Sequence, residues 1–119
     1  HPDVWATVGI HPHDADGLDE ATFAEIERLA DDARVVGIGE TGLDFHYDNS
    51  PRERQEEAMR RFVDLARRKH LPLVIHVRDA YELCAAIVRE EGLGAAGGVI
   101  HCFSGDRAAA RSFLDLSLH

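Results

Sequence analysis

The stretch Leu73-Val-Ile-His76 is a short apolar run closed by a residue type that binds metal ions. Two further segments share this design, Val35-Val-Gly-Ile-Gly-Glu40 and Gly98-Val-Ile-His101. Continuous apolar runs of this length are typical of strands buried on both faces, as in a parallel sheet covered by helices. A fourth run, Val4-Trp-Ala-Thr-Val-Gly-Ile10, is followed by His11 and fits the same plan. The sequence therefore predicts parallel strands that each carry one polar side chain to a common edge.

Helical segments alternate with these strands. Apolar periodicity, capping residues and glycine stops predict them from about Leu18 to Ala33, from a cap at Ser50 to Leu71, from a cap at Asp79 to Gly92, and from about Asp106 to Leu116. Repeated strand–helix alternation implies parallel strands joined by helical crossovers. We predict an α/β fold, a partial (β/α)8 barrel with about four βα units, in a single domain over residues 1–119.

The length of the chain is short for such a barrel. A complete eightfold barrel takes about 250 residues, whereas this sequence has 119. The closing segment Leu116-Ser-Leu-His119 indicates the start of a further strand, and an open four-stranded sheet would leave its edges unprotected. We therefore expect the central part of a longer barrel, with the N-terminal and C-terminal barrel strands missing.

Charge and cysteine content limit the classes of function. The formal net charge of −9 disfavours nucleic-acid binding through a broadly basic surface. It does not exclude a nuclease, because two bound divalent cations would cancel about four charges. No stretch approaches the roughly 20 apolar residues that span a membrane. Cys84 and Cys102 form no CxxC motif, so we expect reduced thiols and a cytoplasmic location.

Glu40, His76 and His101 are the candidate metal ligands. Glu40 opens a predicted loop that runs to Asn49 and turns at Gly42. A carboxylate with imidazoles suits hard divalent cations or zinc. The plainer alternatives are a solvated loop carboxylate and core histidines satisfied by backbone groups. Two histidines at the same position of successive strands favour the metal site.

Other polar side chains lie near these segments. His11-Pro-His13 can place both rings on one side of an extended segment, although we assign His13 to a polar turn. Arg78 either holds a phosphate bidentately or pairs with a nearby carboxylate. Asp44 is expected to fix its own loop through backbone hydrogen bonds. Cys102 is expected to pack on the face opposite the preceding histidine.

At four segments the sequence resembles the TatD family of metal-dependent deoxyribonucleases: Gly9-Ile-His-Pro-His13, Gly37-Ile-Gly-Glu-Thr-Gly-Leu-Asp44, Ile75-His-Val-Arg-Asp-Ala80 and Val99-Ile-His-Cys-Phe-Ser-Gly105. Their order and spacing match across essentially the whole chain. The resemblance implies a (β/α)8 barrel of the amidohydrolase type that hydrolyses phosphodiesters in DNA. It also implies a centre of two divalent metal ions, which can be Mg²⁺, Mn²⁺ or Zn²⁺.

The resemblance also implies roles for individual residues. Glu40 corresponds to a bridging metal ligand, His76 and His101 to histidine ligands, His11 to a phosphate contact or acid/base group, and Arg78 to a substrate contact. The family's first-strand His-x-His pair and last-strand Asp, which usually activates the attacking water, are not in this sequence. Two alternatives stay open: hydrolysis of carboxylic esters or amides such as aminoacyl esters, and a truncated fragment without catalytic activity.

Overall fold

Strands and helices alternate along residues 1–119, all of which the computed structural model describes. The elements in chain order are β1 (Ala6–Val8), a 3-10 helix (Pro12–Gly17), α1 (Glu20–Leu29), β2 (Val35–Asp44), α2 (Arg52–Lys69), β3 (Leu73–Arg78), α3 (Tyr81–Glu91), β4 (Gly98–Ile100) and α4 (Arg107–Leu114). The four strands form one sheet in the order β1-β2-β3-β4, and every pair is parallel. The predicted α/β architecture with four βα units is confirmed. None of the helices is long and apolar enough to cross a membrane.

The helices cover only one face of the sheet. In β3, Leu73, Ile75 and Val77 are buried in the same core cluster as the α2 side chains, whereas the residues between them are partly exposed. On the other face, Val99, which pairs with Val74, is exposed. Sequential parallel strands with right-handed crossovers place every helix on the same side. The prediction of strands buried on both faces is therefore wrong for this chain, and the open face corresponds to the interior of a barrel.

β2 is longer than the sequence predicts. The segment from Thr41 to Asp44, expected as a loop, pairs in register with β3 from Ile75 to Arg78. Gly42 is therefore a strand residue and not a hinge. A Cβ atom there would lie 1.7 Å from the carbonyl oxygen of His76, and the backbone φ is +146°. The glycine is required because the two strands approach too closely for any side chain.

The two predicted capping residues have other partners. α2 begins at Arg52 without a side-chain cap, and the Ser50 hydroxyl instead donates to the carbonyl of His13 at 2.8 Å. α3 likewise begins without a side-chain cap, and Asp79 contacts the ring of His46 at 3.2 Å. These predictions are wrong because local spacing does not report tertiary partners.

The C-terminal segment adds one parallel bridge beside β4. Leu118 pairs with Gly98, and the backbone of His119 exchanges hydrogen bonds with Gly98 and Ile100 at 3.0 and 2.7 Å. The prediction of a further strand beginning in this segment is confirmed. The strand order along the sheet therefore continues to follow the order along the chain.

Candidate metal centre

Four side chains from different parts of the chain meet at one end of the sheet. The Glu40 Oε1 atom lies 3.3 Å from Nε2 of His11 and 3.9 Å from Nδ1 of His76. Its Oε2 atom lies 2.5 Å from Nδ1 of His101. The structure brings these residues together, as the sequence predicts. Their roles as metal ligands stay a prediction.

Strand geometry explains this convergence. Parallel strands end at the same edge of a sheet, so side chains near their carboxyl ends become neighbours. His76 lies on the open face of β3, and His101 follows directly after β4. Glu40 lies within β2, four residues before its end at Asp44, and not at the strand end as the sequence suggests. The cluster therefore sits just inside the open face of the sheet.

Asp44 connects this cluster to the protein interior. Its Oδ1 accepts backbone N–H bonds from His46 and Tyr47 at 3.1 and 3.0 Å, which confirms the predicted role in its own loop. Its Oδ2 faces Nε2 of His76 at 2.9 Å and Nε2 of His13 at 3.1 Å. The sequence does not predict these contacts. His13, assigned to a polar turn, therefore belongs to the same network.

The hydrogen bonds of Asp44 keep its carboxylate ionised. Burial alone would raise the pKa of Asp44, since the side chain is 1% exposed. The Tyr47 N–H, the rings of His76 and His13 and the His46 N–H together outweigh burial and hold that pKa well below its usual range. Hydrogen bonds donated to the charged form have this effect because they stabilise the anion.

His11 is placed as a hydrogen-bond donor. Its Nδ1 accepts the backbone N–H of His13 at 3.1 Å. A neutral ring that accepts at Nδ1 carries its proton on Nε2, and this atom faces Glu40. Burial, followed by the nearby rings of His76 and His13, lowers the pKa of His11 and favours the neutral form. The Nε2 atom of His11 is therefore suited to donate a proton toward the cluster rather than to bind a metal.

Arg78 has no carboxylate within ion-pair distance. Its guanidinium lies 5.2 Å from the ring centroid of Tyr47, an attractive cation–π arrangement. Arg78 also lines an open cleft of about 580 Å³, together with Tyr81, Ser104 and Asp106. Of the two sequence interpretations, pairing with a carboxylate is wrong in this structure. The guanidinium is available to an incoming anion.

The two cysteines are free and differ in environment. The expectation that Cys102 packs against the sheet is wrong, because β4 ends at Ile100 and the chain turns with φ +53° at Cys102, which leaves this side chain exposed. Its Sγ atom lies 3.5 Å from Nε2 of His101. Cys84 is fully buried in α3, and burial raises the pKa of its thiol to about 12.

Gln55 supports the centre from α2, a role that the sequence interpretation does not include. Its Oε1 accepts the N–H of Asp44 at 2.7 Å, and its Nε2 donates to the carbonyls of Asp44 and Ser50 at 3.2 and 2.8 Å. The side chain is fully buried. The sequence does contain an indication that Gln55 is buried. Gln55 lies four and seven residues before the core residues Met59 and Phe62 and hence on the same face of the helix.

The donor set fits a divalent cation. Glu40 offers two carboxylate oxygens, and His76 and His101 each direct Nδ1 toward it. Imidazole nitrogens suit zinc, and carboxylate oxygens suit magnesium and manganese. The ligand atoms of His11, Glu40 and His76 all lie within 4.8 Å of one another, so an ion held by Glu40 and His76 would lie close to His11.

A parallel sheet with such a cluster at the carboxyl ends of its strands is typical of a segment of an α/β barrel. A family described as "TatD related DNase" matches residues 1–119, so the chain belongs to the TatD family. It is 41% identical over 116 residues to the uncharacterized metal-dependent hydrolase YabD of Bacillus subtilis, covering 98% of this chain and 46% of that protein. It is 42% identical over 119 residues to the 3'-5' ssDNA/RNA exonuclease TatD of Rahnella sp., covering 99% and 45%.

Solved structures of TatD relatives share the fold. The TatD homologue YJJV from Escherichia coli matches with a TM-score of 0.91 and 28% identity, over 99% of this chain and 46% of that one. A TatD family hydrolase from Entamoeba histolytica matches with a TM-score of 0.80 and 28% identity, over 96% and 40%. The predicted family and the partial (β/α)8 barrel are confirmed. The chain spans less than half the length of the relatives named above.

Proposed function

We propose that these residues form the central part of a barrel that hydrolyses phosphodiester bonds in DNA with the help of divalent metal ions. The observation that carries this proposal is the position of Glu40, whose carboxylate is surrounded by imidazoles from three other segments. Family membership and the name of the Rahnella relative, a 3'-5' ssDNA/RNA exonuclease, support the choice of substrate. We further propose that residues 1–119 are a single domain within the barrel.

The two oxygens of Glu40 favour a centre with two ions. Oε1 faces His76 and Oε2 faces His101, so the carboxylate could bind one ion together with His76 and a second ion together with His101. Such ions, Mg²⁺, Mn²⁺ or Zn²⁺, would supply positive charge at the scissile phosphate and make a nearby water more acidic. They would also offset part of the formal net charge of −9, which otherwise repels a polyanion.

His11 and Arg78 would handle the substrate. The Nε2–H of His11 points into the cluster and can donate to a phosphate oxygen or a leaving group. The guanidinium of Arg78 has no carboxylate partner and lies near Tyr47. It can bind a neighbouring phosphate through bidentate hydrogen bonds. These contacts would suit a single strand or a chain end, because neither requires a broadly basic surface.

The test is Glu40→Gln in the full-length protein, because glutamine keeps the shape of the side chain but loses its charge. We expect loss of single-stranded DNA hydrolysis with Mg²⁺ or Mn²⁺, while the matched control Glu57→Gln, on an exposed face of α2, stays active. A substrate panel that adds aminoacyl esters separates phosphodiester from carboxylic ester hydrolysis. Unchanged DNA hydrolysis in Glu40→Gln would remove the role we assign to this residue.

The cytoplasmic location is likewise proposed and rests on the thiols. Neither Cys84 nor Cys102 forms a disulfide. Free thiols are typical of reducing compartments. Cell fractionation of the full-length protein would test the proposal, and recovery outside the cytoplasm would contradict it.

A further inference from the structure

We propose that Asp44 is a positioning residue that fixes which ring nitrogen of His76 faces the metal centre. The inference rests on the proposed function only in taking the partner of His76 as a divalent cation. Asp44 does not reach that cation position itself: its carboxylate contacts His76 on the side of the ring opposite Glu40. Its effect would therefore pass entirely through the histidine.

Asp44 can only accept hydrogen bonds from its neighbours. Backbone N–H groups of His46 and Tyr47 occupy Oδ1, and the rings of His76 and His13 approach Oδ2 at 2.9 and 3.1 Å. An ionised carboxylate has acceptors and no donor. Both rings must therefore place an N–H at Nε2.

This arrangement determines which ring nitrogen of His76 carries the free lone pair. A neutral imidazole with its proton on Nε2 has an unprotonated Nδ1. In the structure Nδ1 is the atom that points to Glu40, at 3.9 Å from Oε1. Carboxylate–histidine pairs of this kind orient metal-binding rings and make the ligand nitrogen more basic. Asp44 thus selects the tautomer that can bind an ion beside Glu40.

The backbone of Asp44 is fixed from the helical layer. Gln55 on α2 accepts its N–H at 2.7 Å and donates to its carbonyl at 3.2 Å. Both residues are buried, at 1% exposure for Asp44 and 0% for Gln55. A rigid support of this kind limits rotation of the carboxylate, because the residue cannot move without breaking buried hydrogen bonds.

A competing interpretation places an ion between His13, Asp44 and His76, whose ligand atoms also lie within 4.8 Å of one another. That ion would require the lone pair of His76 at Nε2, which would move the proton to Nδ1 and turn it toward Glu40. A neutral imidazole has one such lone pair. The two arrangements therefore exclude each other, and they predict opposite tautomers for His76.

The first experiment measures the tautomer in the metal-free, full-length wild-type protein by ¹H–¹⁵N NMR of the histidine rings. We expect the proton of His76 on Nε2, coupled to Asp44 across the hydrogen bond. A proton on Nδ1 would overturn the proposal. Because this measurement needs no metal, substrate or substitution, its result distinguishes the two tautomers even if the proposed nuclease function is wrong.

The second experiment uses Asp44→Asn. The asparagine oxygen can still accept the loop N–H groups, but its NH₂ would face His76 and shift the ring proton to Nδ1. We expect Mn²⁺ affinity, measured by calorimetry, to fall roughly 10–100-fold. The control Asp48→Asn alters an exposed carboxylate bound to Arg52 and should leave the affinity unchanged.

Substitution of His13 distinguishes the competing ion site. If Asp44 acts by positioning, His13→Ala leaves the Mn²⁺ affinity close to that of the wild type. If His13 is instead a ligand of the ion, His13→Ala lowers the Mn²⁺ affinity as much as Asp44→Asn does. A His76 tautomer and a Mn²⁺ affinity that are both unchanged in Asp44→Asn would refute the proposal. A wild-type protein that binds no Mn²⁺ would instead count against the proposed function.

Discussion

Replacement of Gln55 by leucine should destabilise the protein although it removes no charge and little volume. In the structure the Gln55 amide satisfies the N–H and carbonyl of Asp44 and the carbonyl of Ser50. All of these residues are buried. Leucine cannot form any of these bonds, so the backbone groups would stay unpaired where water does not replace the amide.

The expected loss follows from the number of groups left without a partner. Each unpaired buried polar group costs about 1–3 kcal/mol, and burial of a leucine side chain returns about 1.5–3 kcal/mol. For the three groups that Gln55 serves, the middle of these two ranges gives a net loss of about 4 kcal/mol. This is a large part of the roughly 5–15 kcal/mol that stabilises a domain.

Urea unfolding of the full-length protein, followed by far-UV circular dichroism, measures this loss. With a slope of about 2 kcal/mol/M, the midpoint should fall by roughly 2 M. The control Glu53→Leu lies on the same helix at an exposed position. It should lower the free energy of unfolding by less than about 1 kcal/mol, because it removes only the favourable interaction of the Glu53 carboxylate with the helix N-terminus. Equal midpoints for the two variants would refute the view that Gln55 supports the centre.

Three further predictions concern the sheet, the thiols and the metal. Gly42→Ala should prevent normal folding, because its Cβ would lie 1.7 Å from a carbonyl oxygen of β3. The control Gly17→Ala should fold normally, because a Cβ at residue 17 meets no atom within 4 Å. Comparable yields and melting temperatures for the two variants would contradict the prediction. A thiol reagent should label Cys102 rapidly in the native protein and Cys84 only after unfolding, since Cys84 is buried with a pKa of about 12; rapid modification of both would show that α3 opens. Mn²⁺ at 100 times its dissociation constant should stabilise the wild type by about 2.7 kcal/mol and Glu40→Gln much less; equal shifts in melting temperature would place the ion elsewhere.

The order and type of the elements could be predicted because they depend on local pattern. Apolar runs of strand length and helical stripes such as Met59, Phe62 and Val63 follow from the periodicity of each element, and these side chains are buried as expected. The partners of Glu40 could also be anticipated, since parallel strands end at the same edge. Strand order and the position of the cluster therefore follow from the sequence.

Contacts across the chain could not be predicted in this way. The extension of β2 through Gly42 depends on its pairing with β3, and a glycine indicates a turn when its neighbours in space are unknown. Ser50 carries the sequence pattern of a helix cap, but its hydroxyl bonds to residues 13 and 16. Gln55 and Asp44 are polar residues whose burial depends on hydrogen bonds made after folding. Gln55 binds the backbone of Asp44, and the carboxylate of Asp44 accepts the N–H groups of His46 and Tyr47.

The bonds of Ser50 and Asp44 join two loops that the chain keeps far apart in sequence. Ser50 binds the carbonyl of His13 and the N–H of Asp16, while Asp44 binds the His13 ring. The barrel fold supports many chemistries by variation of its loops on a constant scaffold. Here residues 11–17 and 44–50 form one inseparable block. Transfer of these loops to another barrel would have to include both segments. If residues 11–17 were transferred alone, His13 would lose its contacts with Ser50 and Asp44.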